Sequence, residues 1–217
     1  DPRTTAPIHA VFFDFGGVFI PSPFGAIGPA AERLAVPEAD LVDAIFGPYD
    51  ADTDHPWHRL ERGEISFEEA RTAIGDLSEQ RGLIRLDPMV ALADLVIDRS
   101  IREFMVDAVR DLRSQGIRTG IITNNIAEFG THWKAMIPVD ELFDDIVDSS
   151  AVGIRKPDAA IYALACERLG VEPANALFID DYQGNVDGAV AAGLRSVCCG
   201  YTVESTEAAL AELLALF

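Results

Sequence analysis

Lysine is nearly missing from this sequence. Two of its 217 residues are lysines, Lys134 and Lys156, beside fifteen arginines, and Asp plus Glu outnumber Lys plus Arg by 36 to 17. The formal charge of -19 leaves no basic stripe for a phosphate backbone, which excludes a nucleic-acid partner. Such a charge is ordinarily a solvated acidic surface that aids solubility. It also sets a condition: an anionic substrate is repelled at long range, so a local cation, from a metal or a side chain, must hold it. Cysteine is scarce as well. Cys166, Cys198 and Cys199 form no framework, and the last two lie side by side in an apolar run as small hydrophobes, which argues against an oxidising compartment. No apolar stretch approaches the ~20 residues of a membrane span, and the first residues carry no signal-peptide pattern, so no membrane partner and a cytoplasmic location are expected. The opening Asp1-Pro2-Arg3 lacks a Met, from which a trimmed or remade N-terminus is expected.

What is present is globular: 49% hydrophobic and 24% charged residues, with no low-complexity tract or internal repeat. Residues 9–13 (His-Ala-Val-Phe-Phe) form an apolar run ending at Asp14, the pattern of a buried strand. Similar runs follow at Arg118–Thr123, Ala176–Ile179 and Leu194–Cys199, with a weaker one at Asp145–Asp148. Helical patterns separate them. Ile101, Met105, Ala108, Val109 and Leu112 recur at three- to four-residue spacing, and Gly116 supplies the stop. Residues 158–169 and 183–192 behave likewise before Gly170 and Gly193, and 205–217 reads as a last amphipathic helix. Alternating strands and helices imply right-handed crossovers, hence a parallel α/β sheet covered on both faces. Residues 20–99 break this alternation. They hold helix-like segments at Ala26–Arg33, Ala39–Phe46 and Ser66–Ser78 and several prolines, but no convincing strand. We read them as a helical insert after the first strand, lying over the site like a lid.

Four strand ends deliver polar groups to one edge of that sheet, where ligands of open α/β sheets bind. They are Asp14-Phe15-Gly16-Gly17, Thr123-Asn124-Asn125, Arg155-Lys156-Pro157-Asp158 and Asp180-Asp181, the last followed by Asn185. Each has a bland reading: a turn cap for Asp14, a helix cap for Thr123, solvated turn residues for Asp180 and Asp181. Their weight lies in appearing together, in order, with helices between. Lys156 stands out in a chain that otherwise uses arginine, because a compact point charge suits a phosphate or carboxylate better than a fork does. Asp-Phe-Gly also occurs in protein kinases, but there it follows a catalytic domain and loop that position 14 lacks.

FDFGGVFIPSP, ITNN, GIRKPDAAIY and FIDDYQGN resemble the motifs of the haloacid dehalogenase-like (HAD-like) hydrolase superfamily, and the resemblance runs from about His9 to the end of the chain. It implies a Rossmann-like core, residues 1–19 and 100–217, with a helical cap over 20–99. It further implies that Asp14 is the nucleophile and that Thr123 hydrogen-bonds the transferring group. Lys156 would offset that group's charge, with Asn124 beside them at the substrate. Asp181, helped by Asp180, would hold Mg²⁺ together with Asp14 and the carbonyl of Gly16. The chemistry is coherent. A carboxylate attacking phosphorus splits one hard displacement into two easier ones, and two anions approach only when cations neutralise their charge. A small-molecule phosphate monoester or acyl phosphate is the expected substrate.

The motif departs from the family pattern at Gly16, where a second Asp ordinarily supplies a metal-binding carbonyl and a side chain that protonates the leaving group. Glycine keeps the carbonyl and loses the acid, which is worth roughly 10²–10⁴-fold in rate. Three readings follow. A phosphatase would use substrates with good leaving groups or borrow an acid from the insert, where Asp52, Asp54, His55 and His58 are candidates. A 2-haloacid dehalogenase needs no proton for halide, but tends to lack the acidic pair kept here. A catalytically weakened protein would bind phosphate or a partner. Phe24, Phe46 and Trp57 either line a pocket or fill the core of the insert.

Overall fold

Four consecutive fully buried residues, Ala10–Phe13, make the central strand, β1. Alternation sends Val11 and Phe13 to one face of the sheet and Ala10 and Phe12 to the other, and each face has its own apolar cluster. A strand buried on both sides needs no polar alternation, which is why it reads as a continuous apolar run. In this computed structural model, residues 6–91, 93, 100–130 and 132–217 are described. The remaining strands are Arg118–Thr123 (β2), Asp145–Asp148 (β3), Ala176–Asp180 (β4) and Arg195–Cys198 (β5). All neighbours pair in parallel, in the order β3-β2-β1-β4-β5.

The chain therefore builds outward from β1 to β3, then crosses back to lay β4 and β5 on the other side. The switch point falls between β1 and β4, where open α/β sheets leave a crevice beyond the strand ends. The helix Glu103–Ser114 covers the Val11/Phe13 face through Met105, Val106, Val109 and Leu112, joined by Ala209 and Leu213 of the helix Val203–Leu214. The helices Ala159–Leu169 and Gln183–Ala191 cover the opposite face. Burying Phe12, Phe13 or Phe178 in these layers contributes roughly 1.5–3 kcal/mol each. These helices match the sequence expectations to within a few residues, and the last strand is shorter than Leu194–Cys199 by one residue at each end.

Between β1 and Glu103–Ser114 the described residues contain helices and no strand of the sheet. Ile27–Leu34, Glu38–Ile45, Pro56–Glu61 and Phe67–Gln80 share a third apolar cluster, which the core enters through Ile126 and Tyr182. Ser66 and Glu69 form a capping box at the start of Phe67–Gln80. The expected end of the insert, at 99, lies outside the described residues. The three cysteines are free, Cys166 and Cys199 buried and Cys198 partly so. No helix among the described residues is long and apolar enough to cross a membrane.

Candidate active site

Register sets the site. Phe13 pairs with Ile179, and the Asp14 N–H donates to the Ile179 carbonyl at 2.9 Å, so Asp14 and Asp180 leave the sheet side by side. The loop before the helix Ala159–Leu169 brings Lys156 between them, its Nζ 3.0 Å from Asp14 Oδ1 and 2.6 Å from Asp180 Oδ2. Asn124, just past β2, fixes that loop from both sides: its Oδ1 accepts from Lys156 N at 2.8 Å and its Nδ2 donates to Lys156 O at 3.1 Å. Asp180 also accepts from Tyr182 N at 2.8 Å and from Asn185 Nδ2 at 3.1 Å. Asp181 accepts from the Ser22 hydroxyl. Gly17 passes so close that a Cβ would stand 2.2 Å from Asp181 Cγ, and its φ of 76° suits glycine alone.

Asp14, Asp180 and Asp181 each bring an oxygen within 4.8 Å of the others, all three buried. The Lys156 ammonium touches Asp14 and Asp180 in this crowd of carboxylates, and Asp14 and Asp181 respond. Burial first, and then Asp180 against the pull of Lys156, raises Asp14 from 3.8 to about 7. Burial, with Asp180 and Asp14 as like charges, pushes Asp181 well above the carboxylate range. Burial works against the charge on Lys156, but Asp14 and Asp180 outweigh it and hold the ammonium above its ordinary pKa. A cluster of hard oxygens short of positive charge is a fitting seat for a small divalent cation.

A cavity of about 530 Å³ opens onto this cluster and is lined among others by Asp14, Gly16, Thr123, Asn124, Lys156 and Asp181. Asp180 lies behind it, committed to Lys156, Tyr182 and Asn185. Phe24, Phe46 and Trp57 serve both expected purposes, since they belong to the third apolar cluster and also line the cavity. The acid candidates of the insert require correction: Asp52, Asp54, His55 and His58 do not line it. His55 caps the helix Pro56–Glu61 by accepting from Trp57 N at 3.2 Å, and His58 Nδ1 accepts from Thr53 N at 3.1 Å. Asp52 pairs with Arg62. Asn125 lines the cavity and is held there by donating to Asp148 Oδ2 at 2.8 Å. Sequence reasoning placed Arg155 at the strand-end edge without giving it a role, and did not single out Ser22, Tyr49 or Glu61. Glu61 lies buried in the cavity wall, where Oε1 accepts from Tyr49 OH at 2.7 Å and Trp57 Nε1 at 2.8 Å, and Oε2 from Arg155 Nε at 2.7 Å.

The model of the haloacid dehalogenase-like hydrolase family matches residues 8–193. Acyl-CoA dehydrogenase family member 10 of Mus musculus is 31% identical over 212 residues, 96% of this chain and 19% of that protein. Bifunctional epoxide hydrolase 2 of Mus musculus is 27% identical over 95% of this chain and 38% of its own length. The chain thus spans well under half of these relatives. A HAD family enzyme from Bacteroides thetaiotaomicron, solved with magnesium and inorganic phosphate, shares the fold at a TM-score of 0.59 and 22% identity, covering 89% of this chain and 95% of that one. With its motifs at the strand ends of the expected sheet, this chain belongs to the haloacid dehalogenase-like hydrolase family.

Proposed function

We propose that the chain is a Mg²⁺-dependent phosphatase that acts through an aspartyl-phosphate on Asp14, with residues 20–99 forming a cap over the core. The observation that carries this reading is Lys156 seated between Asp14 and Asp180 in a three-carboxylate cluster at the end of a cavity. Asp14, Asp181 and the carbonyl of Gly16 would hold Mg²⁺, with Asp180 behind them, and the bound ion would supply neutralising charge to the transferring group. A carboxylate oxygen of Asp14 bonds to phosphorus as the bond to the leaving-group oxygen breaks. Lys156 offsets the charge on the phosphoryl oxygens, and Thr123 donates to one of them. With no acid at Gly16, the leaving oxygen departs as the anion or takes its proton from water. Water then attacks the phosphorus of the acyl phosphate, which releases phosphate and frees Asp14.

The cavity argues for the substrate's body. Its walls are mainly apolar, with Phe15, Ile20, Phe24 and Phe46 among them, and among the described residues its lining holds no Arg or Lys besides Lys156. This favours a monophosphate with an uncharged, apolar body over one carrying a second anionic group. A dehalogenase, which Gly16 alone would admit, has no use for three buried carboxylates around one ammonium.

The test is a panel of alkyl, aryl and acyl phosphates with Mg²⁺ or EDTA, and Asp14→Asn as control. Mg²⁺-dependent phosphate release, lost in Asp14→Asn, is expected. Intact-mass analysis after acetyl phosphate should show a phosphoryl adduct on the parent protein and none on the variant. Release of halide from 2-haloacids without metal, or phosphate binding without turnover on any ester, would overturn the reading.

A further inference from the structure

Arg155 is fully buried, yet the groups that meet its guanidinium come from residues 49–61, far from it in sequence. Its Nε donates to Glu61 Oε2 at 2.7 Å, its Nη1 donates to the Ala51 carbonyl at 2.9 Å, and its guanidinium lies 4.6 Å from the centre of the Tyr49 ring. Ala51, Glu61 and Tyr49 belong to the insert, whereas Arg155 immediately precedes Lys156 in the core. A second link closes the circuit: Tyr49 OH accepts from Asn124 Nδ2 at 3.4 Å, and Asn124 holds the Lys156 backbone.

A buried ion pair is a poor way to gain stability, because desolvation offsets most of its attraction and apolar replacements often do as well. Here it does two things an apolar pair would not. It neutralises a carboxylate that lines the cavity, which would otherwise oppose a phosphate. It also fixes Glu61, whose other oxygen holds Tyr49 and Trp57, two rings of the cavity wall. A forked, charge-assisted donor orients that carboxylate more strictly than a neutral contact would.

We propose that Arg155 is a positioning residue: through Glu61 it clamps the Pro56–Glu61 helix to the loop carrying Lys156, and so sets the wall against which the substrate's body rests. Its kinetic consequences rest on the phosphatase reading. A small substrate that never reaches the wall is indifferent to the clamp, and a substrate with an apolar body is not.

The experiment compares Arg155→Met, Arg155→Lys, Glu61→Gln and the double variant Arg155→Met/Glu61→Gln with the parent chain, using 4-nitrophenyl phosphate and acetyl phosphate at saturating Mg²⁺. Arg155→Met should raise KM for 4-nitrophenyl phosphate about tenfold and KM for acetyl phosphate less than about twofold, with kcat on both within about threefold. The double variant removes the orphaned carboxylate and should recover part of that KM, and Arg155→Lys should fall between. Amide hydrogen exchange, which needs no activity, should accelerate over Arg59–Glu61 in Arg155→Met while β1 and β4 stay protected. Equal losses on both substrates, or a lower Tm with KM and exchange unchanged, would overturn the clamp. Should the parent release no phosphate, the functional reading fails and exchange alone decides: selective acceleration at Arg59–Glu61 upholds the clamp, and unchanged exchange refutes it. If Arg155→Met does not fold, Arg155→Lys and Glu61→Gln carry the same comparison.

Discussion

If the chain is the proposed phosphatase, replacing Gly16 by Asp should return general-acid catalysis to the site. A Cβ there would meet Pro23 Cδ at 3.8 Å, an ordinary contact, and no nearer atom. Gly16 is not among the residues with positive φ, so no backbone strain opposes a side chain, in contrast to Gly17 beside it. The new carboxyl would enter the cavity next to Asp14, and the crowding of acids that lifts Asp14 and Asp181 should keep part of it protonated near neutral pH. A positioned acid is worth roughly 10²–10⁴-fold, or about 2.7–5.4 kcal/mol of barrier. The gain should fall on alkyl phosphates, whose alkoxide cannot leave unprotonated. A 4-nitrophenolate leaves by itself and should gain less than about threefold. The assay is kcat/KM for a series of aryl and alkyl phosphates plotted against leaving-group pKa. The parent should give a steep slope and Gly16→Asp a shallow one. Equal slopes in a folded, Mg²⁺-saturated Gly16→Asp protein would refute the claim that a missing acid limits the proposed phosphatase.

Lys156→Met leaves Asp14, Asp180 and Asp181 together without the cation that now sits between two of them. Losing one partner of a buried charge pair costs about 3–5 kcal/mol, so Tm should drop, and millimolar Mg²⁺ should recover part of the drop by supplying charge to the same oxygens. An unchanged Tm, or a drop that Mg²⁺ leaves untouched, would contradict the charge argument. Burial, with Arg155 next in effect, lowers His58 to about 3, and burial, with Arg81 next, lowers His55 to about 4. Both therefore favour the neutral form when folded: their full contribution is present above pH 6.5 and declines as pH falls toward 4. Asp14, raised to about 7, runs the other way below neutrality, so the histidine effect is read as a difference between the parent and His58→Asn. That difference should shrink by about 1.4 kcal/mol per pH unit between pH 6 and 4, measured by urea unfolding, and a flat difference would exclude a buried neutral His58.

Much of the site was legible because its signals are local. Apolar runs that stop at Asp14, Thr123 and Asp180 mark strands whose ends share one edge, and that edge follows from parallel pairing alone. The weak pattern of Asp145–Asp148 also has a cause: β3 is an edge strand with one neighbour, and its first two residues are only partly buried. What escaped is non-local. Arg155 meets Glu61 across 94 residues and Ser22 meets Asp181 across 159, and no periodicity reports such pairs. His55 and His58 misled for the opposite reason. Their residue types suit acid–base chemistry, but Pro56 starts a helix, so His55 becomes its cap and His58 turns into the insert. Whether Phe24, Phe46 and Trp57 fill the core or line a pocket had no single answer, because a ring packed on one side still offers the other to the cavity.

The charge of -19 then bears on how substrate arrives. On the phosphatase reading, a phosphate dianion approaching such a protein is repelled until it comes within reach of Lys156 and of a cation held by the carboxylate cluster. Over longer distances the repulsion is tempered only by salt, whose screening length is about 8 Å at physiological ionic strength. Near the site the field is local: Arg155 cancels Glu61 in the wall, Glu128 is a further carboxylate of the lining, and the rest is mainly apolar. On that reading, recognition rests on contact with the substrate's body and on Lys156 with the proposed Mg²⁺ at Asp14, and the surface field hinders rather than steers encounter. Enzymes that steer anions slow down as salt rises. Here the sign reverses: at saturating Mg²⁺, raising ionic strength from about 0.02 to 0.3 M should increase kcat/KM roughly two- to fivefold by screening the repulsion. A fall in kcat/KM under those conditions would mean that a cationic path to the site exists, and the account of the cavity as a contact-driven pocket without steering charge would have to be abandoned.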